Sequence, residues 1–229
     1  MECKNHKNLN IPRGVVFFGD SMHMDNEIVD FVIQTVKEHP PKNLYLELPQ
    51  EIEEEFYNSP RNERFHLLQK WSSRPEKTLE LYETAEANDV NIRFFDSRAN
   101  LEAVKAAYES YTREISSQTE ESASELLSLR MEVNQKAADY ISNTSGKETA
   151  FVFSGMLHTA GNNDIDNMVG LRSTVINIYH RPSDRKSTED LLSGILESVE
   201  TDGQECVFIE SPSASIPVLG RTTFQQSRQ

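Results

Sequence analysis

Side chains able to do chemistry gather where apolar runs end. Gly14-Val-Val-Phe-Phe-Gly19 is a short apolar run bounded by glycines, the pattern of a strand buried on both faces of a parallel sheet. It leads at once into Asp20, Ser21 and His23, with Asp25 and Glu27 behind them. A later run, Thr149 to Phe153, repeats the arrangement through Ser154-Gly-Met-Leu-His158, so two of the six histidines stand at equivalent places after strands. Glu47 interrupts Leu44-Tyr-Leu-Glu-Leu48. A carboxylate there needs either a solvated edge or a partner that offsets its desolvation. Asp96 directly follows a further run, Val90 to Phe95.

His23, His158, Glu47 and Asp20 are the candidate catalytic residues. Two imidazoles and a carboxylate have the donor types for Zn²⁺, Mn²⁺ or Co²⁺, with His23, Glu47 and His158 as ligands to an ion that activates water. The same groups can do metal-free general acid–base chemistry, and the residue types leave both readings open. Blander roles fit some neighbours. Asp20 or Asp25 could cap the following helix, which does not account for His23. His66 and His180 sit in polar surroundings, His6 in a polar arm and His39 beside Pro40-Pro41, so all four stay outside the site. Trp71 and Phe65 are read as packing, and Glu51-Ile-Glu-Glu-Glu55 as a solvated helix face.

These residues can meet only if the runs are parallel strands joined by helices, because ligands bind such sheets at the carboxyl ends of the strands. From Asp25 to Glu38, Ile28, Val29, Phe31, Val32, Ile33 and Val36 recur at helical spacing before Pro40-Pro41. With Asn43 to Leu48 as the next strand, this reads as a right-handed βαβ crossover. Charged, helix-prone stretches fill 51–89. Leu101 to Asn143 contains neither Gly nor Pro, which predicts a helical excursion over about 100–143, as two long helices or one broken near Ser116-Ser117-Gln118. Thr174 to Tyr179 and Cys206 to Ile209 add strands, and Thr188 to Val199 a helix. The expected architecture is α/β: a mostly parallel central sheet flanked by helices, one domain over 1–211 and a tail of turn-forming composition over 212–229.

Composition narrows the partners. Of 229 residues, 37% are hydrophobic and 26% charged, which is globular, and 23 Lys and Arg against 37 Asp and Glu give a net charge of −14. That field repels nucleic-acid backbones and anionic membranes, and no window approaches the ~20 apolar residues of a membrane span. Cys3 and Cys206 show no disulfide-framework or zinc spacing, which fits a reducing compartment. No Sec-type signal is evident; the expected setting is the cytoplasm, or export by a dedicated secretion system.

Gly19-Asp-x-x-His23, Glu47 closing the second strand, Gly155-x-x-His158 and Val133-Asn-Gln-Lys-Ala-Ala-Asp-Tyr-Ile141 in the helix before it together resemble the erythromycin esterase, ChaN, TraB and Tiki superfamily. That superfamily includes a domain of the Pasteurella dermonecrotic toxin. The resemblance spans roughly 14–179. The family's first motif carries Glu where this chain has Asp20. The Arg-Asn that opens its helix motif reads Val133-Asn134 here, with Arg130 one turn earlier. Members include ester hydrolases, metal-dependent proteases and a haem-binding protein, so the resemblance implies a hydrolase-like domain and the place of its site more than a substrate. The leading reading is a hydrolase of ester or amide bonds acting on a small molecule or peptide, with Ser21, Asp96, Arg130 and Asn134 as candidate substrate contacts.

Two other readings compete. Val15-Val-Phe-Phe-Gly-Asp-Ser21 also resembles the opening block of Gly-Asp-Ser-Leu serine esterases, with Ser21 as nucleophile. The late Asp-x-x-His of that family is missing, since the residue three places before His180 is Asn177. The other is a non-catalytic effector or toxin domain that engages a host protein through the helical excursion.

Overall fold

The computed structural model describes residues 4–5, 11, 13–20, 26–113, 120–159, 164–193 and 205–209. Ser21, His23, the expected helix break at 116–118 and the tail over 212–229 lie outside the described residues. In chain order the elements are β1 (Lys4–Asn5), β2 (Val15–Asp20), α1 (Asn26–Glu38), β3 (Asn43–Pro49), α2 (Glu53–Asn58), α3 (Arg61–Trp71), α4 (Pro75–Ala87) and β4 (Asn91–Asp96). There follow α5 (Arg98–Arg113), α6 (Glu120–Ser145), β5 (Ala150–Gly155), α7 (Ile165–Met168), β6 (Ser173–Tyr179), α8 (Pro182–Ser193) and β7 (Glu205–Phe208).

The strands form one parallel sheet in the order β1-β7-β6-β2-β5-β3-β4. This is the expected α/β architecture, with all six expected strands and the two-residue β1 besides. Along each strand, alternate side chains serve opposite faces. Val16, Phe18, Leu44, Leu46, Phe94, Phe151 and Ile176 pack with Ile28, Val29, Val32 and Val36 of α1 and with Leu79 and Tyr82 of α4. Val15, Phe17, Tyr45, Val152 and Val175 pack with Ala137, Ala138 and Ile141 of α6 and Ile165 of α7. Phe17, Phe18 and Phe151 are wholly buried, each contributing roughly 1.5–3 kcal/mol by area. Trp71 and Phe65 pack against the first core, as expected.

Three features depart from the sequence expectations. First, β2 and β3 are not neighbours, because β5 lies between them and pairs with both. With Phe151 serving one core and Ala150 and Val152 the other, β5 suits a central place that local patterning does not specify. Second, the acidic segment around Glu53 is not merely a solvated face. Glu53 Oε2 accepts from the Phe94 N–H at 2.6 Å, the Glu51 carboxylate accepts from the Arg98 N–H at 3.2 Å, and the Tyr57 hydroxyl donates to the Ile92 carbonyl. These side chains occupy backbone groups along the open edge of the sheet. Third, Cys206 is disulfide-bonded, not a thiol; Cys3 is the only other cysteine in the sequence. Distance in sequence hid this, since β1 pairs with β7 across almost the whole chain, Lys4 opposite Val207.

Candidate functional site at the carboxyl ends of the central strands

One level of the sheet is polar on the face toward α6. In register, Asn177 of β6 stands beside Gly19 of β2, and Gly19 beside Ser154 of β5. Glu47 of β3 comes just after the Leu46–Phe153 pairing, where the register of β3 turns irregular between Leu46 and Pro49, and its carboxylate reaches the end of β5 by accepting from the Gly155 N–H. Alternation puts these residues on the side of Val175, Phe17, Val152 and Tyr45, which pack against α6 and α7. The glycine has a steric reason to be there. A Cβ at Gly19 would lie 2.6 Å from both Asn177 Oδ1 and Thr159 Oγ1, two buried polar groups that approach each other across it.

His158 lies over this row in the 3₁₀ turn Met156–His158 that follows β5. It is 3% exposed. Its Nδ1 is 2.6 Å from Asn134 Oδ1 of α6, an acceptor, so Nδ1 carries the proton and Nε2 faces Glu47 Oε1 at 3.4 Å. The other Glu47 oxygen accepts from the Gly155 N–H at 2.8 Å, which fixes the carboxylate. Burial pushes the imidazole toward its neutral form, but the charges of Glu47 and Asp96 and the Glu47 hydrogen bond outweigh it, so the His158 pKa is raised. Burial, and then the charge of Glu47, raise Asp96 to about 6, although the Ser97 N–H donates to its Oδ1 at 2.7 Å. Asp96, titrating near 6, and His158, with its pKa raised, therefore stand within each other's field beside Glu47.

The remaining expected site residues are placed differently. Asp20 is paired with Arg74, whose guanidinium lies over the Phe153 ring at 5.8 Å. Phe153 packs with the α1 and α4 core, so this pair occupies the opposite face from His158. Arg130 is fully buried and bonded to Asp164, one helical turn before Asn134. It acts on His158 through its field and lowers that pKa, while Asn134 holds the ring. Arg74, Asp164, Asn177, Ser154 and Thr159 were not singled out in the sequence. Asn177 carried a usable signal, because it breaks the apolar run Thr-Val-Ile-Asn-Ile-Tyr as Glu47 breaks its own. Arg74 and Asp164 carried none, since their partners lie 54 and 34 residues away.

A cleft of about 100 Å³ opens on Glu47, lined by Ser154, Trp71, Arg74, Leu101 and Phe153 among others. It lies between the α3–α4 loop and the start of α5. A larger cavity of about 430 Å³, lined by Glu53, Tyr57, Arg93 and Tyr140 among others, sits beside the open edge of β4 and includes neither Glu47 nor His158. Among the described residues, no group of three or more His, Cys, Asp or Glu is arranged to hold a metal ion; His23, the third expected ligand, lies outside them. Nor, among the described residues, is any helix long and apolar enough to cross a membrane.

A scan against protein-family models finds no match, and a search of curated proteins finds none. Solved structures do align with the chain. The type III effector HopBA1 aligns at 15% identity over 72% of this chain and 77% of its own, with a TM-score of 0.48. RRSP, a MARTX toxin effector domain from Vibrio vulnificus CMCP6, aligns at 16% identity over 82% of this chain, with a TM-score of 0.43; the chain spans 37% of the RRSP chain. A Bacillus cereus protein aligns at 10% identity over 72% of this chain and 65% of its own, with a TM-score of 0.36. Two of the three are bacterial effector domains. The likeness is one of chain path, and function has to be argued from the site.

Proposed function

We propose that this chain is a hydrolase of ester or amide bonds in which Glu47 is the general base and His158 the general acid. The observation that supports this most is the buried His158, oriented by Asn134 and facing a carboxylate that itself opens on a cleft. Perturbed groups with specific charge partners in a cleft are the usual setting of acid–base chemistry. Glu47 takes a proton from water as the water oxygen bonds to the carbonyl carbon. The His158 Nε2 proton passes to the leaving oxygen or nitrogen as that bond breaks. Transfer of the proton from Glu47 back to His158, across the 3.4 Å between them, resets the site.

His23 belongs to this reading as the imidazole following β2, the neighbour of β5. A divalent ion held by His23, Glu47 and His158 would supply a water of lowered pKa, as Zn²⁺, Mn²⁺ or Co²⁺ does elsewhere; the acid–base steps need none. Ser21 and Asp96 are proposed to contact substrate, Asn134 and Arg130 to keep His158 in place, and Asp20 to anchor Arg74 at the cleft wall. Membership of the erythromycin esterase, ChaN, TraB and Tiki superfamily is part of the proposal and rests on the order of the motifs. The same chemistry applied to a peptide bond of a host protein would make the chain an exported effector.

The test is turnover of short p-nitrophenyl esters and fluorogenic peptides, with metal content measured on the same preparations. Wild type should turn over at least one class, and His158→Ala and Glu47→Gln should each lose ~10³-fold in kcat/KM. Wild type without turnover, or His158→Ala as active as wild type, would overturn the reading. Near-stoichiometric metal that His158→Ala removes would establish the metal-assisted form.

A further inference from the structure

Ser154 is out of place by packing criteria. On its face of β5 the preceding residues are Ala150 and Val152, both buried in the α6 core. Ser154 is 2% exposed, and its Oγ is buried without a hydrogen-bond partner. An unpartnered buried hydroxyl is destabilising relative to an apolar side chain of similar size. Yet this one lines the same cleft as Glu47, whose carboxylate accepts from the N–H of Gly155, the residue after Ser154. It is not placed as a nucleophile, since Nδ1 of His158 is directed at Asn134 and Nε2 at Glu47.

We propose that Ser154 is a water-positioning residue, its Oγ holding the water that Glu47 deprotonates. This rests on the hydrolase reading above. Ser154 directly precedes the residue whose N–H binds the Glu47 carboxylate, and both side chains line one cleft, so one water with hydrogen bonds of about 2.8 Å is the bridge we assign between them. The water donates one hydrogen to Glu47 and the other to Ser154 Oγ, which leaves it a lone pair for the carbonyl carbon. In the reaction the proton on the Glu47 side goes to the carboxylate. The hydrogen on the Ser154 side stays with the new acid product, so the serine forms no covalent bond and ends as it began.

Wild type, His158→Ala, Ser154→Ala and Ser154→Cys, assayed on p-nitrophenyl acetate and a fluorogenic peptide and melted in parallel, test this. Ser154→Ala should lower kcat ~10- to 100-fold with KM within about two-fold. Ser154→Cys, which keeps the volume but bonds weakly, should not restore it. Because the alanine removes an unpartnered hydroxyl, its melting temperature should equal or exceed that of wild type. Wild-type kcat in Ser154→Ala beside an inactive His158→Ala would overturn this inference alone. Loss restored by Ser154→Cys, or accompanied by a lower melting temperature, would show packing and overturn it too. No His158-dependent turnover on either probe would overturn the hydrolase reading and this inference together.

Discussion

Two carboxylate–cation pairs lie at the carboxyl ends of the central strands, on opposite faces of the sheet. In one, Asp20 meets Arg74; in the other, Glu47 meets His158. Asp20, Arg74 and His158 are buried and Glu47 partly so, and there the likeness ends. The first balances one carboxylate with one guanidinium, a cation that does not give up its proton. The second sets two carboxylates, Glu47 and Asp96, beside the imidazole of His158 among the described residues. Burial first and the charge of Glu47 second lift Asp96 to about 6, and the charges of Glu47 and Asp96 raise His158 against its burial. Balance makes an anchor, and imbalance makes a group that can exchange protons near neutrality.

The contrast can be broken from either side. Arg74→Met leaves Asp20 buried and unneutralised by that guanidinium, and should destabilise by about 3–5 kcal/mol in urea unfolding at pH 7, with Asp20→Asn added to it restoring part of the loss. Full stability in the single variant would show that the pair anchors nothing. Gly19→Ala tests the row beneath His158. Its Cβ would press on Asn177 and Thr159, and a loss of about 3 kcal/mol is expected. On the imbalanced side the sign reverses. Folded Asp96 titrates near 6 against an ordinary value of 3.8, so the folded state binds the extra proton and stability falls as pH rises through that window. His158, also raised, contributes stability below its unfolded value of 6.5 that is lost as pH rises through its folded value. Asp96→Asn should therefore gain about 2 kcal/mol at pH 8 and little at pH 4. An equal effect at both pH values would remove the claim that excess charge is stored there.

Much of this site was legible because polar residues inside or directly after buried strands have few structural excuses. Glu47 and His158 stood out for that reason, and the structure brings them together. Asp20 satisfied the same rule yet faces Arg74, because one residue along a strand reverses the face. Periodicity found the six longer strands, but strand order is a matter of non-local pairing, so the insertion of β5 between β2 and β3 had no local sign. Asn134 was visible through a motif resemblance, and its contact with Nδ1 gives it a physical role. Arg74 and Asp164 lay in polar stretches where a charged residue is unremarkable until its distant partner is known.

The side chains that occupy the outer edge of β4 bear on how the protein behaves when it is concentrated. With the Phe94 N–H and the Ile92 carbonyl already taken by Glu53 and Tyr57, this border of the sheet offers little for a second molecule's strand to pair with, and the carboxylates around it repel other acidic copies. Self-association by strand addition is thereby discouraged along β4, and a lasting complex on that side would have to be built from side chains.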